Sequence, residues 1–307
     1  MITIGFDTSN YTTSIACFDG SEGVNCSRLL PVKLGELGLR QSDAVFAHTK
    51  SLPELSGRLF SHIDLKSIAA IGVSTRPRAV EGSYMPCFLV GFSHAKLLSD
   101  ALGVPLVEVS HQQGHVAASL WSAGRMDLMD IPHLAWHLSG GTTELLLVEP
   151  EEKNVRCTKL GGTSDISAGQ LIDRTGQLLN LAFPSGKHLD ALSKEAELTE
   201  VFRVKCQKSV FSLSGVQNKV LAFHEKHRND AETAAYALRC VCQAVYQATE
   251  QALQQYPGLG VVFSGGVASN SMLRKALEPL SPVFAEPQYS TDNAMGVAVL
   301  AHRRMEG

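Results

Sequence analysis

Apolar positions along the chain alternate between short continuous runs and spacings of three to four, the pattern of strands interleaved with helices. Residues 2–19, ITIGFDTSNYTTSIACFD, read as an apolar strand, a turn of small hydroxyl residues ending in paired threonines, and a second apolar strand. Residues 133–150, HLAWHLSGGTTELLLVEP, repeat that plan more than a hundred residues later. Both predict β-hairpins with polar tips. A tip without bulky side chains lets backbone N–H groups close on an anion. One such tip means little, because hairpin turns need Gly, Ser and Asn in any case. Two matched tips in two halves of the chain predict a duplicated α/β unit with a ligand between the copies.

Around the hairpins the alternation continues. SIAAIGVST (67–75) and VPLVEVS (104–110) predict strands, and FLVGFSHAKLLSDAL (88–102) predicts a helix. Residues 231–256 carry a long helical pattern closed by Pro257-Gly258, followed by the strand LGVVFSGGV and the helix SNSMLRKALEPL. Strands alternating with helices imply sheets covered on both faces. No linker, low-complexity run or charge block interrupts the chain. A domain boundary is expected just before residue 133 or near 104. The second is adopted here, giving an N-terminal α/β subdomain (1–103) and a C-terminal one with a helical insertion (104–307).

Composition narrows the class. The 307 residues are 44% hydrophobic and 19% charged, which is ordinary for a soluble globular protein. The net charge of −3, from 27 basic and 30 acidic residues, shows no basic excess and argues against a protein that binds nucleic acid unaided. The seven cysteines include no C-x-x-C pair, so they read as incidental thiols of a reducing compartment. The N-terminus lacks a signal-peptide pattern and no apolar run approaches a membrane span. A cytoplasmic protein is expected.

Four segments carry candidate chemistry. HQQGH (111–115) is one letter from the H-E-x-x-H zinc signature, with Gln112 where the general base would stand. Ser110 predicts an N-cap, so His111 and His115 share one helix face and can reach one ion. A metal site still needs a further ligand from elsewhere, and a hydrogen-bonded histidine pair is the bland alternative. Gly114 would let another element approach that helix closely. In VVFSGGVASNSMLRKAL (261–277), Gly265-Gly266 end a buried strand and a helix begins near Ser269 or Asn270, a place for a nucleotide or simply a tight turn. In 161–190, Asp173 sits in a helical pattern, Pro184-Ser185-Gly186 break the chain and Asp190 opens the next helix. In QYSTDNAMGVAVLA (288–301), Asp292 lies in a polar turn, where an N-cap is the ordinary role.

In order, G-F-D-T-S, H-x-x-x-H, S-G-G-T-T, A-G-x-x-x-D, the P-x-G break, F-S-x-S-G (211–215), S-G-G-V-A-S-N and T-D-N-A resemble one family: the TsaD-type tRNA threonylcarbamoyladenosine transferases, once labelled glycoproteases. The resemblance covers nearly the whole chain with spacing kept. It implies the actin-like ATPase fold, two duplicated α/β domains around a nucleotide cleft. It implies that His111, His115 and Asp292 hold one divalent metal, iron or zinc. Ser139, Gly140, Gly141 and Thr142 would cradle phosphate, and Asp173, Gly186, Asp190, Gly265, Gly266 and Asn270 would contact an adenine nucleotide (AMP, ATP or an acyl-adenylate). Asp7 and Ser139 are the expected catalytic positions. The implied reaction moves a threonylcarbamoyl group from its anhydride with AMP to an adenosine amine of tRNA, for which a glutamate after His111 is not needed. The implied partners are tRNA and a TsaB-like protein or a second copy of the chain.

The chain also departs from the family pattern. Where the family has Glu-Thr-Ser-Cys-Asp-Glu-Thr at the first hairpin, this sequence has Asp7-Thr8-Ser9-Asn10-Tyr11-Thr12-Thr13. Thr142 replaces a histidine, Gln170 a glutamate, and Arg76-Pro77-Arg78-Ala79-Val80-Glu81-Gly82 a glycine-proline-glycine loop. The metal and nucleotide sets survive while the acceptor side is altered, which is the mark of a divergent paralog. The competing expectation is a metal- and nucleotide-binding module that acts through a protein partner without transferring anything.

Overall fold

The computed structural model describes residues 1–9, 11–31, 39–197, 200 and 202–306. Asn10, at the tip of the first hairpin, lies outside them. In chain order the first elements are β1 (Ile2–Ser9), β2 (Thr12–Phe18), β3 (Gly23–Leu29), α1 (Gln41–Phe60), β4 (Ile68–Arg76), α2 (Phe88–Leu102), β5 (Leu106–Ser110) and α3 (His111–Ser122). There follow β6 (His133–Leu138), β7 (Thr143–Glu151), β8 (Asn154–Thr163), α4 (Ala168–Leu178), α5 (Gly186–Ser193), β9 (Cys206–Gln207) and β10 (Val210–Phe211). The last are α6 (Ser214–His227), α7 (Asp230–Gln255), β11 (Val261–Ser264), α8 (Ser271–Leu277), β12 (Val283–Phe284) and α9 (Met295–Met305). Among the described residues no helix is long and apolar enough to cross a membrane.

The chain divides into two compact units. Unit 1 comprises Met1–Ile131, Glu149–Cys157 and Asp292–Gly307; unit 2 comprises Pro132–Val148 and Thr158–Thr291. The adopted boundary at 103/104 therefore differs from the observed division. The reason is local: β5 pairs in parallel with β4, from Ile71↔Leu106 onward, which keeps this strand and the following α3 in the first unit. The other expected boundary, just before 133, coincides with the break at Ile131–Pro132.

Unit 1 is a five-stranded sheet in the order β3-β2-β1-β4-β5. β1 and β2 form the first predicted hairpin, with register from Thr3↔Phe18 to Ser9↔Thr12. From Thr3 to Ser9 every β1 residue is buried, as expected of a strand covered on both faces. Ile4, Phe6, Ile15, Ile71 and Val73 pack against Leu52 and Leu55 of α1. α9 lies directly against β1, because a Cβ on Gly5 would stand 2.5 Å from the Ala294 carbonyl oxygen.

Most of the second sheet, in the order β12-β11-β6-β7-β8-β10-β9, lies in unit 2. β6 and β7 form the second predicted hairpin, closing at Leu138↔Thr143. β11 runs parallel to β6, so Ser264 lies opposite His137 and the two strands end side by side. The apolar face of α7 covers this sheet through Val241 and Val245 beside Trp136 and Phe263. Trp136 donates its buried Nε1–H to Thr249 Oγ1 at 2.9 Å, which satisfies the one polar atom of the indole.

Candidate functional site

In unit 1, Ser110 caps α3 as predicted, and the cap is reciprocal. Its Oγ accepts from Gln113 N at 3.2 Å while Gln113 Oε1 accepts from Ser110 N at 2.8 Å. This fixes the first turn, and with it His111 and His115 on one face. α3 meets α9 where glycine faces glycine: a Cβ on Gly296 would fall 1.8 Å from the Gly114 carbonyl oxygen. The close approach expected at Gly114 is thus that of α9. It carries the segment before α9 up to the histidines.

Asp292 arrives there as a carboxylate facing the two imidazoles rather than as an N-cap. The cap residue of α9 is Ala294, and Asn293 Oδ1 accepts from Met295 N at 3.0 Å instead. His115 Nε2 lies 3.0 Å from His111 Nε2 and 3.2 Å from Asp292 Oδ1, and His111 Nε2 lies 3.5 Å from the same oxygen. Ligands about 2.1 Å from a common ion, at tetrahedral to octahedral angles, stand about 3.0–3.4 Å apart. The three donor atoms therefore have the spacing an ion requires.

Asp7 stands behind the cluster. Only 1% exposed, it holds His111 Nδ1 with Oδ2 at 2.7 Å and accepts from Ser9 N with Oδ1 at 2.9 Å. With Nδ1 engaged, Nε2 of His111 is the nitrogen left to face Asp292, the arrangement in which a carboxylate orients a metal-binding imidazole. Both oxygens of Asp7 are occupied, so this residue, expected among the catalytic ones, is a positioning residue in this geometry. Ser9, which sequence reasoning passed over, donates from Oγ to Asp292 Oδ2 at 3.2 Å. The D-T-S run held the signal, since a hydroxyl two residues after a buried acid on a hairpin returns to the same side of the strand.

Electrostatics in the cluster favour positive charge. Burial alone would lower the His111 pKa, but the Asp7 charge and the hydrogen bonds to Asp292 and Asp7 outweigh it and push the imidazole up to about 10. Burial would raise the Asp292 carboxyl, yet the hydrogen bonds from His111 and His115 hold it well below the usual carboxylate range. A proton on His111, or a cation among the three side chains, would answer the same field.

In unit 2 the second hairpin tip is closed by Ser139, whose N donates to Thr142 O at 2.8 Å and whose Oγ accepts from Thr142 N at 3.1 Å. Gly140 and Gly141 are exposed, and a Cβ on either would meet nothing within 4 Å. The N-terminus of α4 sits against this tip: Ser167 Oγ donates to Gly140 O at 2.6 Å, and a Cβ on Gly169 would stand 2.5 Å from the Ser139 carbonyl oxygen. Gly265 follows β11 with φ of 91° and leaves no room for a side chain, 2.2 Å from the Leu138 carbonyl oxygen. Gly265 and Gly266 therefore lie beside the end of the strand that carries the tip.

The residues expected to contact adenosine gather around α5. Asp173, half-buried on α4, accepts from Ser185 N at 2.8 Å, next to Gly186, the first residue of α5; burial pushes its carboxyl up. Asp190 lies within α5 rather than opening it. Its Oδ1 accepts from Asn270 Nδ2 at 2.8 Å, Ser271 Oγ at 2.9 Å and Ser271 N at 3.1 Å. Asn270 also caps α8, its Oδ1 accepting from Leu273 N at 2.9 Å. Of the altered hairpin positions, Tyr11 is 40% exposed and Thr12 is buried opposite Ser9.

Comparisons with known proteins bear on this geometry. A family model described as tRNA N6-adenosine threonylcarbamoyltransferase (TsaD) matches residues 38–299. A protein of that name from Carboxydothermus hydrogenoformans is 31% identical over 317 residues, covering 99% of this chain and 92% of the relative. Among solved structures, HypF of T. kodakarensis superimposes with a TM-score of 0.65 at 14% identity, covering 100% of this chain and 48% of that one. A ROK family glucokinase from Streptomyces griseus, solved with glucose and AMPPNP, gives a TM-score of 0.55 at 12% identity over 99% of this chain and 100% of that one. Sequence order, matched residues and fold agree, and the chain belongs to the TsaD family, built on the actin-like ATPase fold.

Proposed function

We propose that the chain is a metal- and adenine-nucleotide-binding transferase that moves a threonylcarbamoyl group, or a related carbamoyl group, from an adenylate to the exocyclic amine of a tRNA adenosine. The observation that carries this reading is the convergence of His111, His115 and Asp292 with Asp7 locked behind them, in a chain whose relatives are named for that transfer. In the reaction the amine nitrogen attacks the carbamoyl carbon. A C–N bond forms, the bond from that carbon to the phosphate oxygen breaks, AMP leaves with the electron pair, and the nitrogen gives up a proton.

A divalent ion, iron or zinc, held by His111, His115 and Asp292 would supply Lewis acidity toward a phosphate oxygen. Asp7 keeps the His111 ring turned, and Ser9 steadies the second oxygen of Asp292. In unit 2 the Ser139–Thr142 tip offers backbone N–H groups to phosphate. Asp173, Gly186, Asp190, Gly265, Gly266 and Asn270 form the adenosine side. Gln112 is no defect in such a site, since no water needs to be activated for peptide hydrolysis.

A second reading has one observation in its favour. Tyr11 and Thr12 stand where the family pattern carries acids, and Thr12 is buried. Loss of a general base typically costs about two to four orders of magnitude in rate. The chain would then be a non-catalytic paralog working through a TsaB-like partner or a second copy. Purified protein, assayed for metal by elemental analysis and for AMP by calorimetry, is next given the threonylcarbamoyl adenylate and unmodified tRNA, with nucleosides read by mass spectrometry. Modified adenosine supports transfer. Metal and AMP binding without product supports the second reading, and absence of both ligands removes both readings.

A further inference from the structure

The net charge of −3 conceals a segregation of charge. Residues 202–228 hold six lysines and arginines against one acidic residue, Glu225, while the rest of the chain holds 21 basic against 29 acidic residues. The whole-chain balance averages this segregation away. Arg203, Lys205, Lys208, Lys219, Lys226 and Arg228 are all exposed in unit 2.

The same segment opens a pocket of about 490 Å³, within the size range of sites that take a nucleotide-sized ligand. Its walls combine cations with aromatic faces. Lys219 Nζ sits 5.4 Å above the Phe202 ring. Phe223 is stacked on His227 and on Tyr236, with centroids 4.2 and 4.4 Å away and both planes tilted by 11°. Phe223 and Tyr236 are buried, so His227 is the exposed end of that stack. Arg203 and Lys226 complete the basic rim, Glu200 is the acid on it, and among the described residues neither cation has a carboxylate partner. None of these residues belongs to the Asp190–Asn270 cluster.

Cations over aromatic platforms recognise unpaired RNA: phosphates take the charges and an unstacked base takes the ring. An acidic peptide would use the charges and leave the stack idle. We infer that this surface binds the RNA substrate, with phosphodiesters on Arg203, Lys219 and Lys226 and one flipped or unpaired base on the His227–Phe223 stack. The inference rests on the reading that tRNA is the acceptor.

Fluorescence anisotropy of a labelled, unmodified tRNA transcript with the full chain tests it. The Arg203→Gln, Lys219→Gln, Lys226→Gln triple variant should bind on the order of 50-fold more weakly at 0.15 M salt. Its slope of log affinity against log salt should fall by about 2, at about 0.7 for each phosphate of an unpaired strand that no longer meets a cation. His227→Ala should weaken binding about tenfold with the salt slope unchanged, as loss of stacking does. AMP binding by calorimetry and the melting temperature should match wild type in both variants. Unchanged tRNA affinity in both variants overturns the inference, as does a wild-type chain that ignores tRNA but binds a polyglutamate peptide through the same lysines. Failure of the transfer reading is seen separately: no modified nucleoside forms, while the tRNA affinity and its loss in the variants persist.

Discussion

The His111–His115–Asp292 cluster of unit 1 and the Asp190–Asn270 cluster of unit 2 are both built from side chains drawn from distant parts of the sequence, yet they balance differently. Around Asp190, acceptor meets donor: one carboxylate oxygen takes the Asn270 amide, the Ser271 hydroxyl and the Ser271 N–H, and the region is satisfied as it stands. Around His111, two ring nitrogens and a carboxylate oxygen turn toward one another, with Asp7 adding a second carboxylate behind. Lone pairs facing lone pairs at about 3 Å are stable only with a proton or cation among them. The first arrangement is also what a helix junction needs for its own stability. The second has no structural use that an apolar contact would not serve better, and it is the stronger functional signal of the two.

The widest separation between the regions is expected on metal content. His115→Ala should take bound metal from about one ion per chain to near zero by elemental analysis, while the unfolding free energy of chelator-treated protein stays close to wild type. Retained stoichiometry in that variant would move the site elsewhere. Gly296→Ala drives a methyl group toward the Gly114 carbonyl and should cost about 3 kcal/mol in denaturant unfolding, lowering metal content as well because Asp292 is carried away from His115. Full stability in this variant would mean that α3 and α9 part easily.

Asp7→Asn keeps the shape of the positioning residue but removes its charge. Metal affinity by competition with a chromophoric chelator should fall about 10–100-fold, with stoichiometry recovered at saturating metal. In unit 2, Asp190→Ala leaves the Asn270 amide and the Ser271 N–H without their acceptor. It should cost about 2 kcal/mol whether or not a chelator is present, and it should weaken AMP binding. Chelator-dependent destabilisation there would erase the difference between the two clusters.

The smallest effect concerns Asp165, also in unit 2. Burial is the largest single influence and raises its carboxyl, but hydrogen bonds from the Ser212 and Ser214 hydroxyls and from Leu213 N and Ser214 N together prevail and lower it to about 2, anchoring the start of α6. A folded-state pKa below the ordinary 3.8 contributes stability that is present above pH 3.8 and lost as pH falls toward 2. Asp165 is exposed, so the contribution is below about 1 kcal/mol. Asp165→Asn should flatten the acid limb of stability against pH between about 4 and 2; an unchanged limb would show that the serine contacts carry no charge-dependent energy.

Much of this was legible from local pattern. Both hairpins, the helix over 88–102, the Ser110 cap and the pairing of His111 with His115 follow from periodicity and capping chemistry that act within a few residues. The meeting of Asp292 with the histidines was not legible in local pattern, because a turn rich in Ser, Thr, Asp and Asn reads as a helix cap wherever it stands; only the family resemblance implied it. Ser9 and Asp7 were visible as a motif, but their division of labour was hidden, since a strand residue's partner across the fold leaves no mark on its neighbours. The basic segment over 202–228 was missed for a different reason. A whole-chain charge averages over a surface, whereas a ligand meets one patch within a Debye length of about 8 Å.

The order of amino acids by itself determined which segments become strands and helices, which faces are apolar and which side chains share a helix face, because these depend on backbone sterics and on spacing of about 2 or 3.6 residues. Only the tertiary structure decided that His115 meets Asp292, 177 residues away, and that Asp7 turns the His111 ring. Those meetings depend on two helices approaching backbone to backbone at Gly114 and Gly296, and on the pairing of β1 with β4 and of β4 with β5, which brings Asp7 and α3 together by packing of the whole unit rather than by any local preference.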